Sequence, residues 1–154
     1  MANKPTLLFV CTHNAGRSAL GAALARQQAG DRAVVLSAGI APAKATSAGT
    51  IASLAESGID DSAHVPAEVT EELVRSATVV IAMKPGLDLP RVEGVTYETW
   101  DLPNPEGWDA AAIRPLRDHI SDRVKDLLGR LATVAVAWQQ HGASPADHAL
   151  QPKP

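Results

Sequence analysis

The chain has a single cysteine, Cys11, and its next arginine, Arg17, is followed at once by Ser18. From Cys11 to Ser18 the residues read Cys-Thr-His-Asn-Ala-Gly-Arg-Ser, a C-x5-R-S pattern. A cysteine thiolate is a nucleophile. A guanidinium presents a planar fork that fits two oxygens of a phosphate-like group. Between them, Thr12, His13, Asn14, Ala15 and Gly16 supply a short run of backbone N–H groups, and Gly16 gives the loop freedom to curl. Such a loop entering a helix forms a cup for an oxyanion, because free N–H groups and the positive end of the helix dipole meet there. The same field stabilises a thiolate over a thiol. Ser18 can donate a hydrogen bond to that thiolate. The chemistry expected is attack by Cys11 on the central atom of a tetrahedral anion whose oxygens are held by Thr12 to Arg17.

This chemistry requires a strand before the loop and a helix after it. Leu7-Leu8-Phe9-Val10 is a short apolar run that fits a strand buried on both faces. Ser18 to Gln28 is Ala-rich, with Leu20 and Leu24 four apart, and predicts a helix ended by Gly30-Asp31. Ala33 to Leu36 predicts a second strand, ended by Ser37-Ala38-Gly39. Ser47 to Ser57 and Val69 to Val74 predict helices, with Thr70 as N-cap of the latter. Thr78 to Met83 is the strongest strand signal, continuous and β-branched, and Pro85-Gly86 breaks it. Val95 to Glu98 alternates as a fourth strand. Asp101 to Trp108 is a loop. A long amphipathic helix runs from about Ala111 to Trp138, with Ile113, Leu116, Ile120, Val124, Leu127, Leu128 and Leu131 at spacings of three and four. Alternating strands and helices imply an α/β fold with a mainly parallel sheet, in which ligands sit beyond the C-terminal strand ends. Residues 1–138 are expected to form one catalytic domain. Residues 139–154, without periodicity and with three prolines, are expected to be a disordered tail.

Composition narrows the class further. The 154 residues suit one domain, with 45% apolar and 20% charged residues. A net charge of −3 argues against a general nucleic-acid binder, so an anion site must be local. No apolar run approaches a membrane span, and Met1 to Thr6 lacks the layout of a signal peptide, so a cytoplasmic location is expected. One cysteine excludes an internal disulfide. His64, His119, His141 and His148 show no metal-ligand spacing, and no metal is expected.

On its Cys11–Ser18 motif the chain resembles the low-molecular-weight protein tyrosine phosphatase superfamily, and within it the actinobacterial, mycothiol-type arsenate reductases. Ser37-Ala38-Gly39, Gly58-Ile59-Asp60-Asp61-Ser62-Ala63-His64 and Glu72 to Val80 also match segments of that family. The resemblance implies a three-layer fold with a four-stranded parallel sheet and helices on both sides. It implies that Ser37 contacts Asn14 and supports the loop. It also implies a general acid immediately before Pro105, where this chain has Asn104. An amide has no titrating proton to give. Either Asp101, three residues earlier, takes over, with backbone capping as its alternative role, or the acid step is crippled, or the substrate needs no acid. His13 could line the pocket mouth or contact substrate, with a local hydrogen-bonding role as the commoner alternative for a lone His. Trp100 and Trp108 flank the acid loop and are candidate pocket walls, with core or surface packing expected for at least one of them.

The cysteine count limits how the covalent intermediate can be resolved. Thioredoxin-linked arsenate reductases relay oxidation through two further cysteines, which would fall in Met83 to Pro90, and none is there. Arsenate reduction then needs an external small thiol such as mycothiol, with a glutaredoxin-like reductase as partner. A tyrosine phosphatase needs no second thiol, so the count also suits that reading. Thr12 after the cysteine and Glu106 after Pro105 favour the reductase, because the phosphatases of this family tend to have an apolar residue and a Tyr there. A third reading, an inactive phosphate-binding module, is suggested by Asn104 and opposed by the intact Cys11, Arg17 and Ser18.

Overall fold

The computed structural model of the chain describes residues 4–141. Four strands, β1 (Thr6–Cys11), β2 (Val34–Gly39), β3 (Val79–Ala82) and β4 (Thr96–Thr99), form one parallel sheet in the order β2-β1-β3-β4. Helices α1 (Arg17–Ala29) and α2 (Ala48–Glu56) follow β1 and β2. Helix α3 (Glu71–Arg75) precedes β3, and α4 (Ala110–His141) closes the described chain. The α/β sheet with helices on both faces is the architecture expected from the alternating pattern.

Side chains alternate across β1, as period-two geometry requires. Leu7, Phe9 and Cys11 face a core built with Leu20 and Leu24 of α1, Leu54 of α2, and Ile113, Ile120, Val124 and Leu127 of α4. Leu8 and Val10 face the other way, onto Val74 of α3, Val80 and a partly buried group that includes Leu87, Leu89 and Val92. Both faces of β1 are thus dry, which is why it reads as an unbroken apolar run. Each such Leu, Ile or Phe contributes about 1.5–3 kcal/mol by leaving water. Gly21 lets α1 lie on β1, since a Cβ there would stand 2.7 Å from the Phe9 ring.

Three differences from the expected elements have physical reasons. Strand β2 continues through Ser37 and Ala38 to Gly39, because Gly39 pairs with Cys11 and parallel pairing carries the strand as far as its neighbour. Helix α3 starts at Glu71 rather than Val69, because Thr70 caps it by accepting from the Leu73 N–H. Helix α4 runs to His141, so Gln139 to His141 are helical. The rest of the expected tail, 142–154, lies outside the described residues. Among the described residues no helix is long and apolar enough to cross a membrane.

Candidate active site

Cys11 is the last residue of β1, with β2 on one side and β3 on the other. Chain connections leave this point in opposite directions, and such a switch point opens a crevice beyond the strand ends. The loop from Thr12 to Gly16 occupies it. Asn14 takes a left-handed conformation (φ 54°), which Asn tolerates better than most residues. Gly39 makes room for the loop, since a Cβ there would lie 2.8 Å from the Thr12 oxygen and 2.9 Å from the Asn14 nitrogen.

Every carbonyl from Cys11 to Gly16 is engaged from outside the loop. The N–H groups of Ile40, Ala41 and Ala43 donate to the oxygens of Cys11, Thr12 and His13 at 3.1, 2.8 and 3.0 Å. Ser47 N–H donates to Ala15 at 3.1 Å and Leu20 N–H to Gly16 at 2.9 Å. His64 Nε2 donates to the Asn14 oxygen at 3.0 Å, which fixes the proton on that nitrogen because a carbonyl only accepts. The carbonyl dipoles are thereby held away from the cup. The N–H groups of His13, Ala15 and Gly16 meet no acceptor among the described residues and remain available to an anion.

A directed chain of hydrogen bonds ends on the cysteine. Ala67 N–H donates to Asn14 Oδ1 at 3.0 Å, so the Asn14 amide must present its nitrogen on the other side. That nitrogen donates to Ser18 Oγ at 2.7 Å. Ser18 Oγ lies 3.0 Å from Cys11 Sγ; the thiol donates to that oxygen, and once the cysteine ionises the Ser18 hydroxyl hydrogen is the one that turns to the sulfur. The Asn14 backbone N–H also donates to Sγ, at 3.3 Å. Asn14, Ser18 and Cys11 are all buried. Hydrogen bonds to a charged group are worth about 1.5–3 kcal/mol each, so two donors on one sulfur favour a thiolate. Arg17 is buried beside them and its guanidinium donates to the Leu102 oxygen at 3.1 Å.

Ser37 does not take the role the resemblance implied. It pairs with Phe9 inside the sheet, and Asn14 finds its partners in Ala67 and Ser18 instead. Ala67 and His64, which support Asn14, were not singled out from the sequence. The only signal was the His that ends the segment from Gly58 to His64.

An open pocket of about 410 Å³ holds this cup. Cys11, His13, Ala15, Gly16 and Arg17 line it from the loop, and Ala41, Pro42, Ala43, Ala45 and Ser47 from the segment after β2. Asn104 and Glu106 line it from the segment before α4. His13 lies at the pocket and makes a local contact there, with its Nδ1 3.0 Å from the Ala41 oxygen. Asn104 Oδ1 accepts the Glu106 N–H at 3.2 Å. Asp101 is exposed and lies outside the lining, so the structure does not bring this candidate acid to the pocket. Neither tryptophan lines it. Trp100 is buried in the core, edge-on to Phe9 at 5.9 Å, and Trp108 packs elsewhere with 37% of its surface exposed.

A buried cysteine sulfur within hydrogen-bond reach of Ser18 Oγ and the Asn14 N–H, in a loop with free backbone N–H groups and beside a buried guanidinium, defines a cysteine-nucleophile enzyme site for a tetrahedral oxyanion. Residues 6–88 match the low molecular weight phosphotyrosine protein phosphatase family, and the chain belongs to it. A putative arsenate reductase of Halobacterium salinarum is 32% identical over 124 residues, covering 77% of this chain and 87% of that protein. Among solved structures, the thioredoxin-dependent arsenate reductase of Corynebacterium glutamicum superposes with a TM-score of 0.75 at 32% identity. That match covers 87% of this chain, which spans 65% of the Corynebacterium chain. An arsenate reductase solved in its phosphate-binding state has a TM-score of 0.74 at 27% identity, covering 82% of this chain and 98% of that one. The chain is thus an enzyme of the cysteine-based arsenate reductase or phosphatase type, acting on oxyanion substrates.

Proposed function

We propose that the protein is an arsenate reductase that passes arsenic to an external small thiol. The observation that carries this reading is a single buried cysteine, set in an oxyanion cup, in a chain without a second one. Cys11 attacks arsenic while the loop N–H groups and Arg17 hold the other oxygens. The As–O bond breaks and the oxygen leaves as water. A thiol of mycothiol type then attacks arsenic, takes the arseno group and frees the Cys11 thiolate. A second thiol, on a glutaredoxin-like reductase, attacks the sulfur of that adduct. A disulfide forms, the S–As bonding pair stays on arsenic, and As(V) becomes As(III). The two electrons therefore come from thiols outside the chain. This chemistry suits the cytoplasm, where thiols are kept reduced.

The same site supports a second reading. A phosphate ester attacked by Cys11 gives a phosphocysteine that water releases, and one cysteine is enough for that. The walls at Ala41, Pro42, Ala43 and Ala45 offer no aromatic face to a phosphotyrosine ring, and this favours the smaller anion. The deciding experiment measures arsenite formation with mycothiol and its reductase, with thioredoxin and its reductase in a second arm, against phosphotyrosine hydrolysis. Arsenite in the mycothiol arm alone is expected. Arsenite only with thioredoxin overturns the small-thiol step, and phosphotyrosine hydrolysis without any arsenite moves the protein to the phosphatases.

A further inference from the structure

A tetrahedral anion attacked by Cys11 must lose an oxygen, as water from arsenate or as an alcohol or phenol from a phosphate ester. Either departing oxygen needs a proton. In an in-line displacement it points away from the nucleophile, along the line from Sγ through the central atom. The nucleophile's own loop surrounds the remaining oxygens, so the donor must come from a different segment. Asn104 and Glu106 are the pocket-lining residues from outside the Cys11 loop and the segment after β2. Asn104 has no titrating proton, and its oxygen is engaged by the Glu106 N–H.

The segment that carries Glu106 is docked on the loop at two further points. Arg17 donates to the Leu102 oxygen at 3.1 Å. Pro105 lies against Gly16, where a Cβ would come within 3.1 Å of the proline ring. The other titratable groups at the pocket, Cys11, Arg17 and His13, sit on the nucleophile's own loop, His13 with its Nδ1 held at the Ala41 oxygen. Asp101 is exposed and outside the lining.

We infer that Glu106 is the proton donor to the departing oxygen, in place of the acid absent at Asn104. Its carboxyl proton passes to that oxygen as the bond from Cys11 Sγ forms. The resulting carboxylate then takes a proton from the water or thiol that attacks the covalent intermediate, and Glu106 is restored. The inference rests on Cys11 as nucleophile and not on which anion is bound.

The test uses the full chain and two aryl phosphates, phenyl phosphate and 2,4-dinitrophenyl phosphate, with arsenate reduction in parallel. The dinitrophenolate leaves without a proton. Glu106→Gln is expected to lose about 10²–10⁴-fold in kcat/KM on phenyl phosphate, far less on the dinitrophenyl ester, and the basic limb of its pH profile. Asp101→Asn is expected to keep wild-type rates on both. An equal loss on both esters, no loss, or a selective loss in Asp101→Asn overturns the assignment. A selective Glu106 effect in a protein that reduces no arsenate leaves Glu106 standing and removes the reductase reading. If arsenate is reduced but neither ester is cleaved, an unchanged arsenate rate in Glu106→Gln overturns the assignment. Absence of all three turnovers in the wild type overturns both.

Discussion

Ser18 has one hydrogen to give, and Asn14 decides where it goes. The Asn14 amide is oriented by the Ala67 N–H, its nitrogen occupies an acceptor site on Ser18, and the hydroxyl hydrogen is left for Cys11. Ser18→Ala removes that donor from the thiolate. A hydrogen bond to a charge is worth about 1.5–3 kcal/mol, so Cys11-dependent turnover is expected to fall by roughly 10–10²-fold. Steady-state kinetics checks the rate, and the pH dependence of Cys11 alkylation by iodoacetamide is expected to move upward. Cys11, Arg17 and Ser18 were legible in the sequence because they stand in one short run with fixed types and spacing. Asn14's supports were not, because His64 and Ala67 lie 50 and 53 residues further on and carry no pattern that points back to the loop. Asp61, near the same segment, is buried, with Oδ2 lacking a hydrogen-bond partner among the described residues. Burial pushes its carboxyl pKa up. Its contribution to stability is therefore full at low pH and is lost as pH rises through the raised value. Asp61→Asn is expected to raise Tm at pH 7, with the difference shrinking below the ordinary carboxylate pKa of 3.8, as thermal unfolding at both pH values would show.

Between elements, one carboxylate ties α2 to α4. Glu56 accepts from Arg114 at 2.9 and 2.8 Å and from Arg117 at 2.9 Å. The Arg114 hydrogen bond, with Arg117 adding to it, holds the Glu56 pKa down, from 4.5 to about 2. A depressed carboxylate stabilises the fold above its unfolded pKa and ceases to do so as pH falls through the folded value. Wild-type Tm is therefore expected to exceed that of Glu56→Gln above pH 4.5 and to converge on it near pH 2. Calorimetry across that window checks the sign. Parallel loss in both proteins would show that the pair does not link the helices energetically. The α4 stripe was legible, because Ile113, Leu116, Ile120, Val124 and Leu127 are buried at the spacings the sequence displays. Thr70 is the expected N-cap, accepting from Leu73 N–H at 3.0 Å. The end of β2 was not legible, because it is set by pairing with Cys11 rather than by the propensities of Ser37, Ala38 and Gly39.

At the scale of the whole molecule, the strand order puts β1 inside the sheet with both faces dry, and the Cys11 loop occupies the switch point beyond it. Alternating apolar runs and amphipathic stretches made the α/β class readable. They did not show that the segment before α4 docks on the loop through Arg17, Pro105 and Gly16, because such contacts leave no periodicity. The chain's one cysteine makes Cys11 the only thiol of its own that it can set against the substrate, whichever anion is bound. The central claim is that this sulfur bonds covalently to the central atom of the anion. Mass spectrometry of acid-quenched p-nitrophenyl phosphate turnover tests it most directly. A phosphoryl group on Cys11 in the wild type, with neither adduct nor turnover in Cys11→Ser, is the predicted result, and unchanged turnover in Cys11→Ser would contradict it.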